Sequence, residues 1–364
     1  MKQSNQLINR YNPTPISGDE SQSMRGIAIL CIMFHNFLHL ILPTVENEFS
    51  YDATRIEAFT HSLAQQPAWA MADIMSFLGW YGVAVFIFLS GYGLVRKFEC
   101  GQQGELNTWQ FIKNRWVKVF KLMLIPMLIF AAVWSLFNGK LFYIEKLLMQ
   151  LALIGNIGFP TTIQPGVYWF FGLIFELYIF YRLCIYRRSM TWIIATNIIA
   201  FAIFVGLWLF SNVDVMSAVR HNFIGWVLPF TLGAVCARYD ISRLFQNRWI
   251  NIAIVASSGV VLTLMNYNPY LWYISPVVAI IAAIALVKLW RGGQWLGVIS
   301  SSLFAIHPIV RYIAIQPQVK SLFGINDSNP YSIEIIPLLA IFIALSILLA
   351  ALYTNLHRKL FARK

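Results

Sequence analysis

The sequence predicts an all-α, polytopic integral membrane protein of about ten transmembrane helices with both termini in the cytoplasm. Three observations support this fold class. Of the 364 residues, 59% are hydrophobic and 12% are charged, whereas about 25% of a soluble domain is charged. The mean hydropathy is +0.64, and the apolar residues fall into segments of about 20 residues, the length that spans a bilayer. The basic residues are concentrated in alternate connecting segments.

Ten apolar segments are candidates for spanning helices. They lie near 25–43, 74–95, 116–137, 167–186, 191–210, 222–238, 249–265, 270–290, 295–315 and 334–354. The stretch 141–155 is apolar but short and carries two charges, so we interpret it as an interfacial or re-entrant piece. We expect a single domain over 1–364, with a polar segment at 1–24 that lacks the features of a signal peptide and a basic tail at 355–364.

The basic residues predict the orientation in the membrane. With a cytoplasmic N-terminus, the inner segments hold 21 of the 27 Lys and Arg residues and the outer segments hold six. The positive-inside rule describes this bias, and an odd number of spans would scramble it. The net charge of +12 then faces anionic lipid headgroups. Membrane lipids of the inner, cytoplasmic membrane are therefore expected partners, and no nucleic acid is needed to explain the charge.

The cysteines and the first outer loop give two further expectations. The four cysteines show no metal-ligand spacing, and three lie at the predicted cytoplasmic side with Cys31 in the membrane. We therefore expect no disulfide and no metal site. The loop 44–73 carries five acidic residues and is long enough to form a cap over the outer mouth.

Several ionisable residues lie inside the predicted spans, where they are costly and usually face a cavity or a partner. At 1.5 Å per residue, His35 lies about 15 Å above Arg25, and His307 lies about 18 Å from the start of the ninth span. Glu176 is about midway along the fourth span. These groups therefore fall near one depth, as a reaction chamber reached from both faces requires. His39 follows His35 by four residues and shares its helix face.

The residue types favour acyl transfer but leave an alternative open. A histidine can take and return a proton near neutral pH, and a hydroxyl nucleophile needs such a base to attack an acyl carbonyl. Arginine and lysine at the cytoplasmic helix ends suit phosphate groups. A basic mouth below a buried histidine therefore suits a phosphorylated acyl carrier that arrives from the cytoplasm. A proton-coupled transporter of a small organic anion would use the same buried His and Glu residues.

Five segments resemble motifs of the membrane acyltransferase 3 family, and they occur in the family's order. They are RGIAILCIMFH (25–35), GWYGVAVFIFLSGYGL (79–94), FIKNRWVKVFKLMLIP (111–126), VYWFFGLIFELYIFY (167–181) and GVISSSLFAIHP (297–308). The resemblance implies an integral membrane O-acyltransferase. Such an enzyme carries an acyl group, expected to be acetyl, from cytoplasmic acyl-CoA to a hydroxyl group of an extracytoplasmic glycan or lipid-linked saccharide. It implies nothing about the oligomeric state.

The resemblance and the residue chemistry together predict roles for individual residues. His35 would deprotonate the acceptor hydroxyl, and Glu176 would orient His35 or bind the acceptor. Three basic residues would hold the phosphates of acyl-CoA: Arg25, Arg115 and Lys118. Four residues would contact the substrate: Trp169, Tyr168, Ser90 and His307.

Most of these residues also have a structural interpretation. Buried histidines form helix–helix hydrogen bonds, and basic residues at cytoplasmic helix ends act as topological anchors. Trp169 and Tyr168 are typical of an aromatic belt at the membrane interface. Ser90 and Gly91 are typical of a small-residue packing site.

The spacing of the first motif departs from the family pattern, which places ten residues between the Arg and the His. Here Arg25 and His35 are separated by nine residues. Eleven steps of about 100° bring two side chains nearly into line on a helix, whereas ten steps leave them about 80° apart. Asn36 occupies the aligned position, and His39 is a second candidate for the base.

The last motif departs as well, because Ser301 and Phe304 stand where the family usually has Tyr. A proton relay through those two hydroxyls is therefore not expected. Together with the shifted spacing, this leaves a third interpretation open, a non-catalytic assembly protein that kept the fold.

Overall fold

The computed structural model describes residues 16–100, 106–157, 163–239, 241–325 and 329–361. These residues form sixteen α-helices joined by loops and short 3₁₀ or π-helical turns, and no strand occurs among them. In chain order the helices are α1 (Gly18–Leu38), α2 (Ala53–Gln65), α3 (Ala70–Leu78), α4 (Tyr81–Phe98), α5 (Thr108–Asn138), α6 (Ile144–Leu151), α7 (Trp169–Phe180), α8 (Met190–Phe210), α9 (Val213–Arg220), α10 (Val227–Arg238), α11 (Arg248–Met265), α12 (Pro269–Ile274), α13 (Pro276–Leu289), α14 (Gln294–Ala314), α15 (Pro317–Leu322) and α16 (Ile335–Phe361).

The all-helical fold class is confirmed for the described residues, and so is the multi-pass character. Within the described ranges, seven helical segments are long and apolar enough to cross a membrane: Tyr81–Phe98, Thr108–Asn138, Gly166–Ile185, Met190–Phe210, Arg248–Met265, Gln294–Ala314 and Ile335–Phe361. The other three predicted spans fall on α1, on the shorter segment Phe223–Arg238 and on the pair α12 and α13. The count of ten and the cytoplasmic location of the termini stay predictions. The stretch 141–155 forms the short helix α6.

The first helix begins seven residues before the predicted span because its polar first turn is satisfied by specific partners. The Ser17 side chain accepts from the Glu20 backbone N–H, and the Glu20 side chain accepts from the Ser17 N–H, a capping box. The same Glu20 carboxylate pairs with Lys288 at 2.9 Å and Arg291 at 3.2 Å. This end of α1 is thereby tied to the last turn of α13 and to the loop that precedes α14.

The predicted second span is divided in the structure, and the break lies beside α1. It consists of α3 and α4, which are separated at Gly79 and Trp80. A Cβ atom on Gly79 would lie 2.6 Å from the Cys31 carbonyl oxygen and 2.8 Å from His35 Cβ. Only glycine permits this approach, which brings the C-terminal end of α3 against the histidine of α1.

Helices α1 and α14 are in direct backbone contact. A Cβ atom on Gly26 would lie 2.2 Å from the Gly293 carbonyl oxygen, and one on Gly297 would lie 2.0 Å from the Gln22 carbonyl oxygen. Lipid tails provide no hydrophobic driving force between helices, so close packing of this kind holds membrane helices together.

The helices divide into a central and a peripheral set. In the most apolar 18-residue windows of α4 and α14, 67% of the residues are buried, compared with 17% in α8 and 11% in α11. A helix that exposes apolar side chains all round is stable when lipid covers it. The central helices therefore provide the polar interior, and the peripheral ones face the bilayer.

The contact between α1 and α14 predicts the effect of one added methyl group. We expect Gly26→Ala to lower the free energy of unfolding by about 1–3 kcal/mol, because the methyl group must push the two backbones apart. Gly206→Ala in α8 is the matched control, since no atom lies within 4 Å of its added Cβ. Its higher helix propensity should leave stability unchanged or raise it. Thermal unfolding in detergent measures both, and equal melting temperatures would contradict the packing argument.

Candidate active site

Two cavities lie between α1, α4, α7 and α14, and Phe304 lines both. The larger has a volume of about 400 Å³. We call it the histidine cavity, and its lining includes His35, Asn36, His39, Glu46, Glu48, Phe49, Trp169, His221 and Arg311. The smaller has a volume of about 150 Å³. We call it the arginine cavity, and its lining includes Arg25, Phe86, Ser90, Lys118, Phe170, Phe171 and Tyr178.

One continuous helix, α1, contributes to both cavities. Ile32, His35, Asn36 and His39 line the histidine cavity and recur at the three- and four-residue steps that form one helix face. Arg25 lies about two turns below Ile32 and lines the arginine cavity. The shifted spacing between Arg25 and His35 therefore leaves both side chains facing cavity space on the same helix.

Asn36, which occupies the aligned position, holds an arginine of α14. Its Oδ1 accepts from Arg311 Nη1 at 3.0 Å, and its backbone carbonyl accepts from the same nitrogen at 3.2 Å. Its Nδ2 donates to the Ile32 carbonyl at 2.9 Å. The hydrogen-bonding groups of Asn36 are thus used to place Arg311 in the wall of the histidine cavity.

The hydrogen bonds of His35 define which of its ring nitrogens carries a proton. Nδ1 lies 2.6 Å from the Ser76 carbonyl oxygen. A carbonyl oxygen only accepts, so Nδ1 is the donor, and in the neutral ring Nε2 keeps its lone pair. Nε2 faces the Glu48 carboxylate, with Oε2 at 3.5 Å. His35 therefore presents a proton-accepting nitrogen to the cavity and to a carboxylate.

The second histidine of α1 has a different environment. His39 Nδ1 lies 2.7 Å from the His35 carbonyl oxygen, which likewise places a proton on Nδ1. The two imidazole rings stack, with centroids 4.7 Å apart. Of the two, only His35 is within 4 Å of a described carboxylate. This contact with Glu48 distinguishes His35 from His39.

Two glutamates on the loop after α1 respond differently to this environment. Burial raises the pKa of the Glu48 carboxyl. Burial acts in the same direction on Glu46, but protonated His35 and His39, a backbone hydrogen bond and Arg55 together outweigh it and lower the pKa of that carboxyl. The loop therefore supplies one carboxylate that holds a proton readily and one that stays charged.

A buried arginine holds the loop that carries Glu48. Arg220 donates from Nε and Nη2 to the Glu48 carbonyl at 3.2 and 3.1 Å, and from Nη1 to the Gly225 carbonyl at 2.8 Å. Its guanidinium lies 4.4 to 5.7 Å from the ring centroids of three tryptophans: Trp80, Trp226 and Trp272. Burial lowers the pKa of Arg220 to about 10, so it remains charged at neutral pH. Arg220 thus fixes the backbone that aims Glu48 at His35.

Aromatic rings form a further wall of the histidine cavity. The Phe49 ring stacks on His221 at a centroid distance of 3.9 Å, and the Trp169 ring meets both edge-on at 5.2 and 5.5 Å. Burial lowers the pKa of His221 to about 4, so this imidazole is neutral at neutral pH. The wall offers flat, uncharged faces in the cavity that the carboxylates also line.

The arginine cavity is basic. Arg25 and Lys118 line it, and none of its described lining residues is acidic. Arg115 is not in the lining, but its guanidinium carbon lies 5.2 Å from the ring centre of Tyr178, which is. The structure therefore brings the three predicted phosphate-binding residues to one cavity, two of them in its lining.

The predicted role of Glu176 as the group that orients His35 does not hold in this structure. Its carboxylate accepts from Asn156 Nδ2 and from the Phe223 backbone N–H, both at 2.8 Å, and it lines neither cavity. A similar depth along two helices does not determine which way their side chains point. The carboxylate that faces His35 belongs to Glu48 instead.

The four predicted substrate contacts have different outcomes. Trp169 lines the histidine cavity, whereas Ser90 lines the arginine cavity and donates to the Phe86 carbonyl. Tyr168 and His307 line neither cavity. The Tyr168 hydroxyl donates to the Ala305 carbonyl at 2.6 Å, and His307 Nδ1 lies 3.0 Å from the Leu303 carbonyl. Direct substrate contact by these two residues is therefore not supported.

Sequence reasoning missed Glu48, Arg220 and His221. The acidic composition of the loop 44–73 was the available signal for Glu48, but loop residues have no periodicity that indicates their direction. Arg220 was counted only as a basic residue of an outer segment. Its site among tryptophans depends on contacts between residues distant in the sequence.

One group of side chains could hold a divalent cation. The ligand atoms of His35, Glu46 and Glu48 lie within 4.8 Å of one another. Imidazole and carboxylate ligands suit several divalent metals. A metal on Nε2 would occupy the lone pair that a base needs, so cation binding and base function exclude each other at this nitrogen. The absence of a metal stays a prediction.

Comparison with known families agrees with the motifs. A family model described as an acyltransferase domain matches residues 20–354, nearly the whole chain. No curated protein and no solved structure matches the chain. The match confirms the resemblance, and the long apolar helices agree with a multi-pass protein. The chain belongs to the acyltransferase 3 family and is a membrane acyltransferase.

Proposed function

We propose that this acyltransferase moves an acetyl group from cytoplasmic acetyl-CoA to a hydroxyl group of a glycan or glycolipid outside the cytoplasm, at the inner membrane. One observation carries the proposal. His35, with a free Nε2 lone pair, lies in a large cavity that meets a basic cavity at Phe304. A base and a phosphate-binding site joined in this way suit transfer between two carriers that approach from opposite sides.

The arginine cavity is the proposed donor site. CoA carries several phosphate groups, and guanidinium and ammonium groups form strong, charge-assisted hydrogen bonds to them. Arg25 and Lys118 would bind these phosphates, with Arg115 adding positive charge from behind Tyr178. The thioester at the end of the pantetheine arm would then extend towards Phe304.

The histidine cavity is the proposed acceptor site. A sugar ring presents apolar C–H faces and polar hydroxyl edges. The faces suit the aromatic wall of Trp169, Phe49 and His221, and the hydroxyl edges suit the carboxylates of Glu46 and Glu48. The volume of about 400 Å³ lies in the range of small-ligand sites.

The chemistry follows from the atoms that face the cavity. His35 Nε2 takes the proton of the acceptor hydroxyl as its oxygen attacks the thioester carbonyl carbon. The resulting imidazolium is stabilised by the Glu48 carboxylate beside it. Arg311 lines the same cavity, and its Nε has no hydrogen-bond partner among the described residues, so it can donate to the oxyanion. The C–S bond then breaks, and the thiolate takes the proton from His35 to leave as the thiol.

No specific observation favours the transporter or the assembly protein, and the family match supports an acyltransferase rather than a transporter. Labelled acetyl-CoA and a His35 variant distinguish acyl transfer from both alternatives.

We expect His35→Ala to slow acyl transfer strongly. Purified protein in nanodiscs, given labelled acetyl-CoA and a crude glycolipid extract, should label the acceptor. Loss of the base should reduce the rate about 10²–10⁴-fold. His39→Ala is the comparison, and it should lose less. Proton-coupled uptake of an organic anion into liposomes without acyl transfer would favour the transporter. Full complementation of cells that lack this protein by the His35→Ala variant would favour the assembly protein.

Glu48→Gln and Glu176→Gln should separate the two glutamates. We expect Glu48→Gln to lower kcat by about 10–100-fold, because a neutral amide stabilises the imidazolium less well. Burial raises the pKa of Glu48, so wild-type activity should fall as the pH is lowered through this raised value and the carboxylate loses its charge. Glu176→Gln keeps an oxygen for the Phe223 N–H and should retain kcat within a few-fold. A larger loss in Glu176→Gln than in Glu48→Gln would refute this assignment.

Substitutions in the arginine cavity should weaken donor binding. We expect Arg25→Ala and Lys118→Ala each to raise the KM for acetyl-CoA by about 10–100-fold, since a hydrogen bond to a charged group contributes about 1.5–3 kcal/mol. Lys113→Ala is the control, because Lys113 is an exposed residue of the same helix as Lys118 and lies outside the cavity. An equal rise in all three variants would show that the effect comes from surface charge.

A further inference from the structure

Phe304 occupies the boundary between the two cavities. Among the described lining residues it alone is shared by both. Its side chain is almost fully buried, with 5% of its surface exposed. The ring packs against Phe170 at 4.8 Å and meets Phe171 edge-on at 5.6 Å between centroids. A buried aromatic contact therefore stands where one cavity ends and the other begins.

The cavities follow each other along the same helices. On α4, Val83 lines the histidine cavity and Phe86, one turn away, lines the arginine cavity. On α7, the adjacent residues Trp169 and Phe170 line the two cavities in the same way. Neighbouring positions on two helices therefore line different cavities, so the cavities lie next to each other at this level of the bundle. Phe304, the lining residue that they share, and its aromatic neighbours Phe170 and Phe171 lie at this boundary.

We propose that Phe304 is the partition between the donor and acceptor cavities and that its ring limits the size of the acyl group transferred. The acyl part of this inference rests on the proposed function. A thioester that enters from the arginine cavity must reach a hydroxyl group held at His35, so its carbonyl carbon has to come level with Phe304. The substituent on that carbonyl then lies against the ring. The ring is apolar, which suits a methyl group. Its bulk leaves little room for a longer chain.

Acyl selectivity tests the limit on size. The ratio of kcat/KM for butyryl-CoA to that for acetyl-CoA is measured in the wild type, Phe304→Ala and Phe304→Leu. We expect the ratio to rise at least about tenfold in Phe304→Ala and less in Phe304→Leu, because one methylene in an apolar pocket changes discrimination by about 10–200-fold. A ratio is insensitive to the fraction of folded protein. Phe304→Leu also preserves more of the packing if the alanine variant folds poorly.

The matched control is Phe88→Ala. Phe88 is fully buried on α4 but lines neither cavity. The variant removes the same ring volume elsewhere, so the selectivity ratio should stay at the wild-type value. A ratio within twofold of wild type in both Phe304 variants, or an equal rise in Phe88→Ala, would overturn the limit on acyl size.

Thiol labelling tests the partition without any turnover. Ser90→Cys places a thiol in the arginine cavity, and Ile32→Cys places one in the histidine cavity. A membrane-impermeant thiol reagent is added outside intact cells, and labelling above that of the parent protein is measured. We expect Ile32→Cys to be labelled, and Ser90→Cys to be labelled only when Phe304→Ala is also present.

The two tests fail independently. If the wild type transfers no acyl group from any acyl-CoA, the proposed function fails and acyl selection with it. Labelling still decides whether Phe304 separates the cavities. Equal labelling of Ser90→Cys with and without the Phe304 ring would overturn the partition.

Discussion

The hydrogen bond from His35 Nδ1 to the Ser76 carbonyl is the constraint on which the candidate site depends. It selects the tautomer that leaves Nε2 able to accept a proton. The carbonyl is available because α3 ends beside α1, and Gly79 permits that approach. A histidine away from water without such a partner would be free to rotate or to adopt the other tautomer. The divided second span is therefore a condition for the chemistry proposed at His35.

Charge is segregated along the axis of the site. The basic side chains of Arg25 and Lys118 lie on one side of Phe304, and the carboxylates of Glu46 and Glu48 lie on the other. In a medium of low dielectric constant this arrangement acts over longer distances than it would in water. The arginine cavity attracts an anionic donor, and the proposed proton transfer takes place in the histidine cavity.

The sequence predicted the helices well and the site only in part. Long apolar segments specify membrane helices because a bilayer demands them, and their positions agree with the structure for α8 and α14 within one residue. Motifs mark Arg25, His35 and Trp169 in the sequence, and all three line the two cavities. Glu176 does not face His35, and Glu48 was missed, because helix rotation and loop conformation depend on contacts that composition and spacing do not encode. The capping box of Ser17 and Glu20 is visible in the sequence, but a span predicted from hydropathy begins only where the residues become apolar, at 25.

The backbone contact between α1 and α14 has a mechanical consequence. With Gly26 and Gly297 leaving no side-chain layer between them, the two helices cannot slide or tilt independently without a clash. His35 on α1 and Phe304 on α14 therefore belong to one rigid unit. The opposite wall, where α7 carries Phe170 and Trp169, is not part of this backbone contact. The proposed base therefore keeps its position relative to Phe304 when that wall shifts.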